Sequence, residues 1–263
     1  MQRIFYPLLF LVTIASCTPF KMTVSDELKA SNDEYTVKGR NGILIKQKLS
    51  FGEFRTAVVK RSWTSGTSTV RGFGFGYPGT ADYTNIISTE YIRRKQTIFF
   101  SLMDDEARRS EVYCISRFNA KEFTVGNREN SVFNLALDIL GKGGSSESLY
   151  YVQLYTAENE KPWQLVIDNQ AAQADAKTYT GVLAQDKNHY YTIVPVRHLE
   201  KNGKSSAMPF GSVGFEFRDS EGRAVAAVSM IDNGMVFLAK MGTKERFVLA
   251  NAAAALLLQQ EIE

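Results

Sequence analysis

The sequence reads as mainly β: an antiparallel meander closed into a barrel around a buried, apolar C-terminal helix. Three observations carry that expectation. Short strand-like runs, each bounded by a turn, follow one another from Tyr35 to Met241. The composition is rich in aromatics, with 17 Phe and 12 Tyr, which suits pleated, half-buried surfaces. Last, Phe247 to Leu258 reads Phe-Val-Leu-Ala-Asn-Ala-Ala-Ala-Ala-Leu-Leu-Leu, apolar on every face except at Asn251. Alanine and leucine form helices readily, and the run has no glycine or proline. A helix apolar all round is buried all round or spans a membrane. This run covers about 18 Å, against ~30 Å of hydrocarbon in a bilayer, so the inside of a barrel is its natural place. A β-sandwich with a packed C-terminal helix is the competing architecture.

The chain opens on Arg3, then a mostly apolar stretch from Ile4 to Ile14, then Ile14-Ala15-Ser16-Cys17. A basic start, a short apolar run and small residues before a processing point are the parts of a secretory signal. The run is too short for a membrane span, which needs roughly 20 residues. Ending on cysteine, the motif resembles the lipobox of bacterial lipoproteins. That resemblance implies that residues 1–16 are a signal peptide, that Cys17 is the lipid attachment site, and that the new amino terminus is acylated. Several acyl chains anchor stably where one alone holds marginally. In lipoproteins of Gram-negative bacteria an Asp after the lipidated cysteine favours retention in the inner membrane. Thr18 stands there, so the resemblance implies an outer-membrane location, with the side the domain faces left open.

Residues 18–35 are polar and mixed in charge, with Ser25-Asp26-Glu27 and Ser31-Asn32-Asp33-Glu34, and show no periodic apolar face. The expectation is a lipidated N-terminus and flexible tether over 17–35. Such a tether has a root-mean-square span of roughly 25 Å and a reach of about 60 Å. One β-rich domain then covers 36–263. Ile43, Ile45, Leu49 and Phe51 alternate with Lys46, Lys48 and Ser50 as a first strand. Hairpins are expected for Thr97–Met103 with Glu111–Phe118, and for Leu149–Tyr155 with Trp163–Asp168. Tyr179–Ala184 with Tyr190–Leu199 and Ser212–Arg218 with Arg223–Ile231 continue the meander. Asn233-Gly234, a two-residue hairpin signal, turns the chain into Met235–Met241. The terminal helix is expected over 245–260. No internal repeat is visible.

A long antiparallel chain ending in a short, wholly apolar helix resembles the tubby C-terminal and LURP-one/scramblase-like architecture. There, about a dozen strands close around a central C-terminal helix. The residues that carry the resemblance are Lys244-Glu245-Arg246-Phe247 leading into the Ala-Leu run, with the meander before it. No ligand-binding signature of those domains can be placed on this sequence, so the resemblance implies no site.

Composition narrows the function. Without residues 1–16 the chain has 30 basic and 28 acidic residues, too even a balance for a nucleic-acid binder. The clusters Lys60-Arg61, Arg93-Arg94-Lys95 and Arg108-Arg109 read as solvated strand edges and hairpin ends, with anionic headgroups or lipopolysaccharide as the other possibility. With Cys17 lipidated, Cys114 has no disulfide partner, and Val112-Tyr113-Cys114-Ile115 reads as a strand with a buried, inert thiol.

Gly74-Phe75-Gly76-Tyr77-Pro78-Gly79 fits G-x-G-x-x-G on paper. Dinucleotide binding requires a strand before it and a helix after it, and Thr80 to Ile87 has no helical face. A glycine-rich aromatic loop or bulged strand is the better reading. Trp63, Arg71 and Tyr77, with Phe73 and Phe75 between, put rings and a cation on flexible backbone; they are the candidate ligand-binding residues. His189 and His198, nine apart, fall on opposite faces of a regular strand, and no thiolate and imidazole set for zinc exists. Asp104-Asp105-Glu106 lacks the spacing of a calcium loop and reads as a solvated hairpin tip. There is no Gly-x-Ser-x-Gly elbow, and a Cys114–His198 pair would need both to leave apolar strand contexts.

The expectation is therefore a lipid-anchored, non-enzymatic envelope protein with no cofactor, binding a lipid, glycan or protein partner. A structural or assembly subunit of an outer-membrane complex, or a hydrolase of envelope polymers with carboxylates far apart in sequence, are the alternatives.

Overall fold

The structure is a computed structural model that describes residues 20–40, 48–62, 97–118, 149–157, 161–208 and 211–259. Its strands are β1 (Lys21–Met22), β2 (Asn32–Thr36), β3 (Ser50–Phe51), β4 (Phe54–Ser62), β5 (Thr97–Met103), β6 (Ser110–Phe118) and β7 (Leu149–Thr156). They continue with β8 (Trp163–Asp168), β9 (Gly181–Ala184), β10 (Tyr190–Val196), β11 (His198–Lys201), β12 (Lys204–Ala207), β13 (Gly214–Arg218), β14 (Ala224–Ser229) and β15 (Met235–Ala239). The helices are α1 (Asp26–Ser31), α2 (Asn169–Ala174) and α3 (Thr243–Leu258).

Twelve strands form one antiparallel sheet in the order β2-β15-β14-β13-β10-β9-β8-β7-β6-β5-β4-β3. Its two edges meet just past β2. There Lys38 bridges Ser50 through two backbone hydrogen bonds of 2.9 and 3.1 Å. That contact nearly closes the barrel and leaves little unpaired edge for another chain to add to. The expected hairpins fall close to the expected residues, because each strand supplies an inward apolar set, except that the run expected as one strand over Tyr190–Leu199 ends at Val196, and His198 and Leu199 belong to β11 of a separate sheet. On β7, Tyr150, Val152 and Leu154 join the core that surrounds α3, as do Trp163, Leu165 and Ile167 on β8. Tyr151, Gln153, Gln164 and Val166 alternate with them and are buried as well, so β7 and β8 are covered on both faces.

The interior is filled by α3. Every residue from Phe247 to Leu258 is buried, so the expected core helix is present, with ends at Thr243 and Leu258. Its one polar side chain is satisfied. Asn251 Nδ2 donates to Phe247 O at 2.7 Å, and Asn251 Oδ1 accepts from Ser110 Oγ at 2.5 Å. Gly234 shows how closely the wall approaches: its φ is +93°, and a β-carbon there would lie 2.5 Å from a Leu257 methyl.

Three expectations are corrected. Residues 21–35, read as tether, are packed on the barrel. β2 is a barrel strand paired with β15, β1 pairs with β11, and Leu28 of α1 is fully buried. Leu28 sits with Met22, Val24, Val196, Val213, Ala224, Ala227, Phe237 and Ala239 in a second cluster outside the barrel wall. The apolar residues of this stretch are spread over three short elements, so no single period marks them. The second correction concerns the turn before β15. It spans residues 230–234 between paired Ser229 and Met235, and its positive φ values fall on Asp232 and Gly234 rather than on Asn233. Third, β3 comprises only Ser50 and Phe51; Ile43 and Ile45 lie outside the described residues.

α1 also braces a small second sheet, ordered β1-β11-β12, that lies beside the barrel.

Candidate functional site

Cys17, Trp63, Arg71 and Tyr77, and the glycine-rich segment around Tyr77, lie outside the described residues. Among the described residues, polar chemistry gathers at the two ends of α3.

At the N-terminal end a depression of about 130 Å³ is lined by Glu53, Phe54, Asp104, Asp105, Glu106, Arg108, Thr243 and Arg246. The β3–β4 turn supplies Glu53, the β5–β6 turn supplies the acidic run, and the first turns of α3 supply Thr243 and Arg246. Arg246 is the clasp. It donates to Asp33 Oδ2 at 3.0 Å, Ala239 O at 3.1 Å, Tyr35 Oη at 2.8 Å and Glu53 Oε1 at 3.2 Å. Burial pulls its pKa down, but the hydrogen bond to Glu53 and the neighbouring Tyr35 and Glu53 outweigh it, so the value is raised. Tyr35 is raised too, by burial first and then by Glu53.

Asp104 corrects the reading of 104–106 as a solvated tip. Only 1% exposed, it accepts from the Arg108 backbone N at 2.9 Å and from Arg108 Nε at 2.6 Å. Its neighbours Asp105 and Glu106 do face solvent. The Arg108 guanidinium lies 5.5 Å from the Phe247 ring centroid, a cation–π contact that seats it over the start of the helix. Both guanidiniums of the mouth are therefore engaged by its carboxylates. Such a cluster fastens β2, two turns and α3 together.

At the other end, the unsatisfied carbonyls of α3 are met by cations. Arg40 Nε donates to Leu257 O at 3.2 Å, while its Nη1 reaches Met230 O at 2.9 Å and Asp232 O at 3.1 Å. Arg61 Nη2 donates to Leu258 O at 2.8 Å, and Tyr150 Oη to Ala255 O at 2.7 Å. Positive charge at a helix C-terminus offsets the negative end of the helix dipole and satisfies its orphan carbonyls. Arg61, expected as part of a solvated basic pair, is thus half-buried, and its pKa is lowered chiefly by desolvation.

Cys114 is buried against this helix, and burial pushes its thiol up to about 12, so it is an inert core residue as expected. His198 is exposed on the small sheet, well away from that interior, and exposed His189 pairs at 3.0 Å with half-buried Asp186. Neither histidine meets the cysteine. No group of three His, Cys, Asp or Glu residues is arranged to hold a metal among the described residues.

Arg40, Arg61 and Arg246 escaped sequence reasoning as structural residues. Arg40 and Arg61 reach carbonyls 217 and 197 positions away, and no local pattern encodes such a separation. Compared with protein families, with curated proteins and with solved structures, the chain finds no match in any of the three.

Proposed function

We propose that the chain is a lipid-anchored protein of the bacterial outer membrane whose β-barrel domain binds an envelope lipid, glycan or protein without chemical turnover. The single observation that carries the anchor is Ile14-Ala15-Ser16-Cys17 after a short apolar run. Supporting the binding role is a barrel interior filled by α3, which leaves the outer surface and the two ends for recognition. Supporting the non-enzymatic reading is the mutual pairing of the charged groups at the helix mouth. The shared plan of a barrel around a C-terminal helix supports placing the domain with the tubby-like and LURP-one/scramblase-like proteins.

Cys17→Ser tests the anchor: the variant accumulates as precursor and takes up no label from a fatty-acid analogue, and undiminished labelling would refute it. The proposed ligand surface is the Trp63–Tyr77 segment with Arg71. Pull-down of envelope lipids, glycans and outer-membrane extracts is expected to fall at least tenfold in a Trp63→Ala, Tyr77→Ala variant. Equal recovery by wild type and variant removes that surface, and turnover of an ester, glycoside or peptide that is lost on changing one carboxylate or serine replaces binding by catalysis.

A further inference from the structure

The packing of residues 20–35 changes what an acyl group on Cys17 would do, and this inference rests on the lipoprotein reading above. The first described residue is Phe20, and Lys21 already pairs with Glu200 in the small sheet. Thr18 and Pro19 alone separate Cys17 from Phe20. Three residue steps span at most roughly 11 Å, so a lipidated Cys17 holds this part of the molecule at the bilayer instead of letting it stand clear on a long tether.

What it holds there is the tip of the β11–β12 hairpin. Because β1 and β11 are antiparallel, the start of β1 lies beside the end of β11. The turn Asn202-Gly203 carries φ values of +53° and +74°, and a β-carbon at Gly203 would meet nothing within 4 Å, so the tip projects into open space. Lys21 and Lys204 are exposed and Lys201 partly so, against the single carboxylate Glu200, a net charge of +2. Phe20, 47% exposed, is the large apolar side chain left most open among the described residues. The Lys201 ammonium stands 4.5 Å from its ring centroid. An aromatic ring flanked by lysines matches the layer between headgroup and acyl chain, where rings settle and lysine heads reach phosphates. β12 itself is exposed along its whole length.

We infer that Phe20, Lys21, Lys201 and Lys204 form a membrane-facing contact for anionic phospholipid headgroups, which docks the barrel through the small sheet. The acyl chains and this cationic tip act as two signals on one surface. The barrel then has a fixed face toward the bilayer, and the opposite surface is presented to partners.

The test uses the full-length acylated chain in vesicles of phosphatidylethanolamine and phosphatidylglycerol, or of phosphatidylcholine alone. Bimane is attached through Ser205→Cys, beside the tip, or through Glu221→Cys, in the turn at the far end of β13. Cys114 is buried and Cys17 carries lipid, so each label has one site. Nitroxide lipids with the spin at headgroup depth should quench the Ser205 label strongly in the anionic vesicles, weakly in phosphatidylcholine, and the Glu221 label in neither. Lys201→Gln with Lys204→Gln should lower the ratio of docked to undocked protein by roughly fivefold per lysine while melting unchanged. Acylated protein whose Ser205 label is quenched no more than its Glu221 label, or equally in both vesicles, overturns the docked tip and leaves the anchor standing. A chain with no acyl mass on Cys17 overturns both.

Discussion

Arg40 and Arg61 do similar work at the C-terminus of α3, yet their removal should cost different amounts. Arg40 reaches three carbonyls from a partly exposed position. Arg61 makes one such bond, and its Nε and Nη1 are buried without a hydrogen-bond partner among the described residues. A bond to a charged group contributes about 1.5–3 kcal/mol, and an orphaned buried donor costs a comparable amount. Arg40→Met should therefore lower stability by about 2–3 kcal/mol and Arg61→Met by under about 1 kcal/mol, read from urea unfolding midpoints; the opposite order would refute this account. Gly234→Ala should be worse than either in proportion to its size. The left-handed φ costs about 1–2 kcal/mol and the encroachment on Leu257 about 1–3 kcal/mol more, visible as a lower Tm. The glycine was legible as part of Asn233-Gly234. That Asp232 shares the strain was not, because turn length depends on where Ser229 and Met235 pair.

The terminal helix was the most legible element, since a run apolar on every face has only a dry interior to occupy. Its neighbours were half legible. Of the three alanines of β14, Ala226 faces the helix core, whereas Ala224 and Ala227 pack against α1 on the outside. A register shift between Phe217 and Arg218 opposite this strand breaks the simple alternation, and sequence periodicity cannot reveal it. Ala253→Asp should leave the domain largely unfolded, because Ala253 is 1% exposed and belongs to the apolar core around the helix. Deleting everything after Arg246 should have the same effect, measured by circular dichroism; a truncated chain that melts like wild type would remove the helix from the list of what the barrel needs. Asn251→Ala should cost about 1–3 kcal/mol by removing the Ser110 hydroxyl's shortest hydrogen bond and leaving it only the 3.4 Å contacts with the Leu102 backbone, and Ser110→Ala added to it should cost less than the sum of the two single changes.

The fold buries, on both faces of the barrel wall, many groups that ionise in alkali. Tyr155 is raised to about 12 by burial, Tyr191 to about 12 by burial and then by Glu245 and Asp219, and the Cys114 thiol to about 12 by burial. Tyr150, Tyr151, Tyr113 and Tyr179 are raised as well, burial again leading. The sign follows from which state loses protons first. In the unfolded chain these groups ionise at their ordinary values near 9 to 10, while the fold keeps them neutral, so their contribution is complete below about pH 9 and is lost as pH climbs toward 12. Each group adds up to about 1.4 kcal/mol of loss per pH unit in that window. Urea midpoints should be flat from pH 7 to about 9 and then fall steeply. Tyrosinate absorbance should appear together with unfolding; gradual titration of all tyrosines in a still-folded protein would contradict the buried positions.

Local sequence was enough for the β content, for most hairpin partners and for the buried terminal helix, because alternation, turn residues and an all-apolar run are short-range signals. It was also enough for a buried Cys114, which sits in an apolar strand. It was not enough for the seam at Lys38 and Ser50, for the clasp of Arg246 on Asp33 and Glu53, or for the packing of Leu28 against the outer wall. Each of these joins residues whose meeting depends on how far the sheet curls before its edges touch. A polar stretch of mixed charge looks like a tether until a curved wall offers its few apolar residues a place to be buried.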